Sequence, residues 1–294
     1  MNELKSILLH LDASDTVAQR LRVAARLAQV HGAQLDILYA VLPAVLLVPY
    51  AFVADGQAAP LLMAAQAEVA ERSRLAFETE CRALGATGLR WQASEDEPAR
   101  ALRQRAWGAD LLVFGQSEPG TEAVAGVNSD LVATVLVDSG KPGLVLPYIT
   151  PLPAIGETIG ETIGATIGAT ILIAWKPTRE AARAVSAALP LLQRAAKVHL
   201  ATWDETVDGG GAVATRAPMA IETYLQRHGV AVQVHRSGRP GADIGELLLS
   251  LAADVQADLL VSGCYGHGRA REWVFGGVTR TLFRSMTLPV FMAH

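Results

Sequence analysis

The residues with the clearest chemical potential form a glycine-rich segment in the second half of the chain. It reads Gly263-Cys-Tyr-Gly266-His-Gly268-Arg-Ala-Arg-Glu-Trp-Val-Phe-Gly276-Gly277-Val278-Thr279. Glycines allow the backbone to approach a ligand closely, and the segment leads into a predicted helix whose first N–H groups lack intrahelical partners and attract anions. The pattern favours a phosphate-binding loop. A plain turn is the alternative, because glycines also serve tight turns.

Other polar residues of this segment give weaker indications. Three arginines lie in the loop or the helix after it: Arg269, Arg271 and Arg280. Exposed arginines are more often solvated or locally paired than bound to a ligand. His267 and His10 are expected to make local hydrogen bonds, since no His/Cys cluster has zinc spacing and no metal site is predicted. Cys264, in a loop expected to be accessible, leaves a reactive thiol as an alternative. No nucleophile elbow or P-loop lysine motif occurs, so no catalytic residue is predicted.

The elements that must position this loop follow from alternating apolar runs and Ala/Leu/Arg/Glu-rich stretches, which are typical of βα units. We predict strands near 5–11, 34–41, 88–93, 110–115 and 142–147, and again near 169–175, 197–203, 231–236, 258–263 and 288–293. We predict helices near 15–31, 61–84, 97–107 and 121–137, then near 178–194, 216–228, 241–255 and 277–285. Ser14 or Asp15 is well suited to cap the first helix.

The two halves are similar to each other, which indicates a duplication. Three pairs of segments recur in the same order: 109–115 with 257–263, 7–12 with 171–176, and 141–146 with 288–293. Each copy predicts an α/β domain with a doubly wound five-stranded parallel sheet, Rossmann-like, in the order 3-2-1-4-5. Ligands of such sheets bind at the carboxyl ends of the strands.

Between the copies lies a four-residue repeat, Ile-Gly-Glu/Ala-Thr, over residues 155–170. A helix there would carry a glycine every turn, at a cost of roughly 1 kcal/mol each relative to alanine. We therefore predict a domain over 1–150, a linker over 151–170 and a second domain over 171–294. A partner-binding stripe of isoleucines is the alternative role for the repeat.

Composition and charge exclude several classes of protein. The 294 residues carry 25 Lys plus Arg against 29 Asp plus Glu, a formal net charge of −4, so a nucleic-acid partner is not expected. The two cysteines, Cys81 and Cys264, fall in different halves, as suits a reducing compartment. The apolar stretch 41–54 is shorter than the ~20 residues of a spanning helix, and no signal peptide is indicated. We expect a cytoplasmic protein without a membrane partner.

The segment 41–62 of the first copy is longer than its counterpart and contains Pro43, Pro49 and Pro60. Connections of this length are often functional, so the segment is either a lid or an apolar partner surface. The equal alternative is that it covers the sheet edge of its own domain.

The spacing Gly263-x2-Gly266-x9-Gly276 resembles the G-x2-G-x9-G-(S/T) nucleotide loop of the universal stress protein (UspA) family. The order of elements and the duplication resemble the tandem-domain members of that family. The resemblance implies an adenine-nucleotide site for ATP or ADP, with Mg²⁺. It places the phosphates at the loop glycines and the helix start: Gly263, Gly266, Gly276, Gly277, Val278 and Thr279. It also implies an acidic residue at the end of the first strand that holds the nucleoside.

Each copy departs from that pattern at different positions. In the second copy Gly277 replaces the Ser/Thr, which removes a hydroxyl worth about 0.5–1.5 kcal/mol in one hydrogen bond. Lys176 stands in place of the acidic residue and cannot accept a hydrogen bond from a ribose hydroxyl, so it is an alternative contact on the nucleoside side.

The first copy keeps the acidic residue, Asp12, but its loop ends in Asn128-Ser129 and carries Glu118 and Glu122. Like charges oppose phosphate binding. We therefore expect no nucleotide in the first domain, and we expect Asp12 to serve as a helix-start residue.

The leading prediction is a stress-response protein that binds adenine nucleotide and regulates a protein partner without turnover. The alternatives are a scaffold that binds no nucleotide and a slow ATPase. The resemblance further implies an intramolecular pseudo-dimer, with the last strands, 142–147 and 288–293, as docking edges. A homodimer of the tandem chain is a further expectation.

Overall fold

The computed structural model describes residues 3–43, 58–85, 89–121, 125–149, 167–203, 216–238, 241–264 and 277–294. The predictions at Gly266, His267 and Gly276, in most of the 155–170 repeat and in much of the 41–62 segment fall outside these ranges. The chain divides into two compact units, residues 4–141 and residues 142–294 together with 1–3. We call them the first and second units.

The first unit alternates strands and helices. Its strands are β1 (Ser6–Leu11), β2 (Gln34–Ala40), β3 (Trp91–Ser94) and β4 (Leu111–Gly115). Its helices are α1 (Val17–His31), α2 (Ala58–Ala83), α3 (Pro98–Ala106) and α4 (Leu131–Ser139). Parallel pairing joins β3 to β2, β2 to β1 and β1 to β4.

The second unit repeats this alternation after one additional strand. Its strands are β5 (Gly143–Leu146), β6 (Thr170–Ala174), β7 (Lys197–Trp203), β8 (Gln233–Ser237), β9 (Leu259–Gly263) and β10 (Val290–Ala293). Its helices are α5 (Arg179–Leu192), α6 (Arg216–Arg227), α7 (Ile244–Asp254) and α8 (Gly277–Ser285). Parallel pairs join β8 to β7, β7 to β6, β6 to β9 and β9 to β10.

The first unit ends at residue 141 and not at the predicted boundary of residue 150, so β5 falls in the second unit. This strand pairs antiparallel with β10, and Val145 lies opposite Val290. The pairing of these two strands is the one that the sequence analysis expects for the last strands of the copies. Since β5 hydrogen-bonds to β10, it belongs to the second unit.

Apolar side chains fill the strands because both faces of a parallel sheet are covered by helices. Ile7, Leu9, Leu111 and Val113 are fully buried, as are the corresponding residues of the second unit. The α/β class with parallel sheets in two repeats is therefore confirmed. No helix within the described part of the chain is both long and apolar enough to cross a membrane.

One predicted helix is wrong at its beginning. The pattern predicts a helix over 121–137, whereas α4 begins at Leu131. Gly126 adopts a left-handed conformation with φ +68°, and its carbonyl accepts a 2.6 Å hydrogen bond from Leu42 N. A side chain there would lie 2.9 Å from Val41 Cβ. A continuous helix cannot include such a residue, and the apolar run alone does not reveal the reversal.

The predicted caps of the first helix are also wrong. Thr16 precedes α1, and its side chain makes no capping hydrogen bond. The hydroxyl of Ser14 instead lies 3.0 Å from Thr16 Oγ1 and accepts a hydrogen bond from Arg20.

Candidate functional site

The predicted loop in the second unit is bounded by the elements that the sequence predicts. The strand β9 ends at Gly263, and α8 begins at Gly277. The carboxyl end of β9 lies beside that of β6, because Ala174 is paired with Ser262. The first turn of α8 therefore follows a loop that leaves the carboxyl edge of the sheet, where parallel α/β sheets bind ligands.

Gly263 has a structural role that does not depend on a ligand. A Cβ at this position would lie 2.6 Å from Ala181 N and 2.7 Å from the carbonyl carbon of Glu180. The first turn of α5 thus packs its backbone directly onto the end of β9. Because these are backbone atoms, the contact cannot be relieved by a rotamer change, and only glycine fits.

The start of α8 is accessible but lies beside an acid. Gly277 is exposed, Val278 is half-buried and Thr279 is buried. Asp243 accepts hydrogen bonds from Gly245 N and Glu246 N at 2.9 and 3.2 Å and caps α7. Its other carboxylate oxygen would lie 3.9 Å from a Cβ at Gly277. A phosphate at this turn would be close to that charge, which opposes binding unless a cation lies between them.

The helices α7 and α8 fix this geometry through a close approach. A Cβ at Gly245 would lie 2.6 Å from Thr281 Cβ. Gly245 therefore allows the capped end of α7 to lie against α8. Sequence patterns miss this contact, because a single glycine near a helix start does not identify its neighbour.

Lys176, the residue predicted as a contact on the nucleoside side, is exposed just after β6. It follows Trp175, whose backbone N donates to Ala201 O at 2.8 Å. The Trp175 indole N–H is buried, with no hydrogen-bond partner among the described residues. No distance ties Lys176 to the start of α8, so its role stays a prediction.

The alternative of a reactive thiol at Cys264 is wrong. The side chain is fully buried, and Cys264 N donates to Ala293 O at 3.0 Å. Burial raises the pKa of the thiol to about 12, and the carboxylate of Glu180 adds to the shift. A buried thiol with so high a pKa is not a nucleophile at neutral pH.

The equivalent edge of the first unit holds an internal ion pair. Arg20 is 1% exposed, and its guanidinium binds both carboxylate oxygens of Asp12, with Nη1 to Oδ2 at 3.0 Å. The same guanidinium donates to Ser14 Oγ at 2.7 Å. Burial alone would raise the pKa of Asp12, but the charge and hydrogen bonds of Arg20 hold it well below its usual value. Asp12 also accepts from Ser14 N at 2.9 Å. Since α1 begins only at Val17, this contact lies in the turn before the helix, and the expected role of Asp12 at the helix start is wrong.

Gly115 of β4 lies directly under this arginine. A Cβ on Gly115 would lie 3.1 Å from Arg20 Cδ and from Nη1. No motif in the sequence predicts the role of Arg20. The only available signal is a charged residue on a face of α1 that is otherwise buried through Val17, Leu21 and Ala24.

Two histidines, one in each unit, have pKa values below the ordinary value. His10 Nε2 is 2.9 Å from Ala40 O, so the expected local hydrogen bond is confirmed, and burial lowers its pKa. His199 Nδ1 is 2.9 Å from His235 Nε2 across β7 and β8. Burial lowers the pKa of His199, and His235 and Lys197 lower it further. Within the described ranges no three His, Cys, Asp or Glu residues are grouped to hold a metal ion.

These features define a class of protein: a duplicated α/β fold with parallel sheets, in which a loop in each copy leads from the end of the fourth strand to the next helix. The model of the universal stress protein family matches residues 3–133 and 169–294. The two matches include most of the chain, and the chain belongs to that family with two copies of its domain. A comparison with curated protein sequences finds no match.

Two solved structures share the fold over nearly all of this chain. A universal stress protein from Archaeoglobus fulgidus DSM 4304 is 16% identical, with a TM-score of 0.65, and covers 98% of this chain and 95% of its own. A functionally unknown protein from Pseudomonas aeruginosa PAO1 is 15% identical, with a TM-score of 0.60 and coverages of 99% and 92%. A universal stress protein solved in complex with cAMP is 23% identical, with a TM-score of 0.30, and covers 50% of this chain and 98% of its own.

Proposed function

We propose that this universal stress protein binds one adenine nucleotide, ATP or ADP with Mg²⁺, at the carboxyl edge of the second unit, and that it acts as a regulator. The observation that carries the proposal is a difference between the two copies. An arginine fills the edge of the first unit, whereas an alanine stands at the equivalent position of the second.

Strand register gives the equivalence of the two copies. Ile7 is paired with Leu111 in the first unit, and Ile171 with Leu259 in the second. Counting along the chain from these pairs places Lys176 at the position of Asp12, and Gly263 at that of Gly115. Along the following helices, Ala184 takes the position of Arg20, and both are buried.

Three further observations support a ligand at the second edge. Gly277, at the start of α8, is exposed, so the first N–H groups of that helix can be reached. Helix N-termini bind phosphate through such groups. Lys176 leaves this edge without the acidic first-strand residue of the first copy. Asp243 supplies a carboxylate beside the turn that a Mg²⁺ ion would bridge to a phosphate.

The second candidate is a scaffold that binds no nucleotide, and the same carboxylate favours it. Asp243 already satisfies the N–H groups of α7 and places negative charge near Gly277. Without a cation, that charge opposes a phosphate. In this case a protein partner alone would carry the function. Slow ATP hydrolysis at the same edge is the enzymatic alternative.

The first experiment is to denature freshly purified protein and to measure released adenine nucleotide by ion-exchange chromatography, then to titrate the emptied protein with Mg-ATP, Mg-ADP and cAMP by calorimetry. About one equivalent per chain, or a saturable heat, is the expected result. The variant Gly266→Val should abolish it, while the control Gly238→Val, at a glycine with open space around it, should not. An empty supernatant and no heat would overturn the proposal in favour of the scaffold.

The two free cysteines, one intermediate in exposure and one buried, fit a reducing compartment. We therefore place this activity in the cytoplasm. A protein partner and a homodimer of the tandem chain are part of the same proposal, and sedimentation with and without Mg-ATP tests the homodimer.

A further inference from the structure

The edge of the first unit has the shape of a ligand site whose occupant comes from the chain itself. The carboxyl ends of β1 and β4 lie side by side, with Leu9 paired to Val113. Asp12 follows the one strand and Gly115 ends the other. The side chain of Arg20 reaches from α1 into the space between them.

The groups around this side chain are those that bind a guanidinium. The two terminal nitrogens bind the two oxygens of Asp12 in the bidentate manner that suits a planar cation. Ser14 Oγ accepts at 2.7 Å, and His10 O lies 3.4 Å from Nη1. A Cβ added to Gly115 would lie 3.1 Å from Arg20 Cδ and from Nη1, so the arginine side chain occupies the space beside this glycine.

The arrangement is poorly explained as a device for stability. A buried ion pair often contributes no more than a well-packed apolar pair, because removing two charges from water is costly. Here one further donor, Arg20 Nε, is buried with no partner among the described residues. The second unit has an alanine at the equivalent position and still forms the same type of parallel sheet.

We propose that the edge of the first unit is a binding site for a guanidinium or amidinium cation, permanently occupied by Arg20, and that it is not a nucleotide site. The buried carboxylate of Asp12 selects a planar cation and repels phosphate. The chain therefore offers its nucleotide edge only in the second unit. The guanidinium site does not depend on nucleotide binding by the second unit, and its first readout, the thermal midpoint, uses no nucleotide.

The test removes the internal occupant from the full chain and offers a soluble replacement. Arg20→Ala should lower the thermal midpoint, since it leaves the Asp12 carboxylate buried without a partner. Methylguanidinium chloride at about 1–20 mM, far below the molar concentrations at which guanidinium denatures proteins, should restore at least half of the decrease in thermal midpoint, and the recovery should saturate. The wild-type protein and the double variant Asp12→Asn with Arg20→Ala should show no such recovery, and neither should tetramethylammonium chloride.

A second variant keeps the test decisive if Arg20→Ala does not fold. Arg20→Met retains the volume of the stem without the charge, and Arg20→Lys retains a cation without the planar fork. The Arg20→Lys protein should have a lower thermal midpoint than the wild type. Methylguanidinium should not raise it, because the lysine ammonium still binds the Asp12 carboxylate. Arg20→Met should recover in part.

Two results would overturn the proposal. The first is an Arg20→Ala or Arg20→Met protein that is insensitive to methylguanidinium, or no more sensitive than the wild type. The second is an Arg20→Ala protein that binds one more adenine nucleotide per chain than the wild type, whatever number the wild type binds. If the second unit binds no nucleotide at all, the recovery by methylguanidinium is still expected, so failure of the two proposals can be told apart.

Discussion

Gly263 and Gly277 belong to one sequence motif but lie in opposite surroundings. Gly263 is enclosed by the backbone of α5, so its lack of a side chain serves packing. Gly277 is exposed and has space for a side chain, with Asp243 Oδ2 3.9 Å from the position of a Cβ. At the scale of the residue, a motif glycine therefore indicates a ligand only where packing does not already require it.

The variant Gly277→Ser should strengthen Mg-ATP binding by about twofold to tenfold, because one regained hydrogen bond contributes about 0.5–1.5 kcal/mol. A Cβ at Gly277 would lie 3.9 Å from Asp243 Oδ2, an ordinary contact distance. Isothermal titration of the wild type and the variant measures the ratio, with Gly238→Ser as the control at an open glycine. An unchanged affinity would mean that the phosphates do not lie at the first turn of α8.

The variant Gly263→Ala should lower the free energy of unfolding by about 1–3 kcal/mol, the usual range for overpacking. The added Cβ would lie 2.6 Å from Ala181 N, which is too close for two non-bonded atoms. Urea denaturation measures the loss, and Gly238→Ala should change stability by less than about 0.5 kcal/mol. A neutral Gly263→Ala would show that α5 can move away from β9.

At the scale of the element, each repeated Ala-Asp-Leu-Leu-Val segment contains an aspartate that accepts hydrogen bonds from the beginning of another strand. We call this contact a strand clamp. Asp258 accepts from Gly168 N, Ala169 N and Thr170 N at 3.0, 2.9 and 3.1 Å. Asp110 accepts from Lys5 N and Ser6 N at 2.8 and 3.0 Å. In each copy the aspartate before the fourth strand of that copy fixes the beginning of the first, which explains why these residues recur.

Replacing Asp258 by alanine should destabilise the second unit by about 1–3 kcal/mol, because backbone N–H groups at the start of β6 lose their acceptor. Chemical denaturation monitored by the tryptophans measures this loss. The control is Asp254→Ala, at an exposed acidic residue that ends α7. Equal effects of the two substitutions would contradict a clamp at Asp258.

At the scale of the whole molecule, stability should depend on pH through two histidines in different units. The pKa values of His10 and His199 both lie below the ordinary 6.5, chiefly because of burial. In the unfolded chain these groups bind protons below that pH, whereas in the folded chain they resist protonation. The free energy of unfolding should therefore be fully present above about pH 6.5 and fall as the pH decreases below it.

Urea denaturation at pH 8, 7, 6 and 5 measures this dependence. The variants His10→Gln and His199→Gln should each flatten part of the curve between pH 6.5 and 5, and His228→Gln, just after α6, serves as the control. Stability that is constant over this interval in the wild type would show that neither histidine is buried in its neutral form.

The sequence predicted most of the elements to within a few residues, because long apolar runs and helical stretches are local signals. It failed at α4 and at the caps of α1, where Gly126 and Ser14 take conformations that depend on Val41, Leu42 and Arg20. It also failed at Cys264, because the burial of this side chain depends on residues that are distant in the sequence. In the candidate site, the boundaries at Gly263 and Gly277 were predicted, while the adjacent Asp243 was not.

By itself the sequence determined the class of fold, the duplication and the position of the glycine-rich loop between a strand and a helix, since periodicity and repetition are properties of consecutive residues. Only the tertiary structure decided that Arg20 fills the edge of the first unit and that α5 closes over Gly263. Both depend on how closely a helix lies to a strand that is distant in the chain. That distance is set by packing between faces, and no local pattern of residues encodes it.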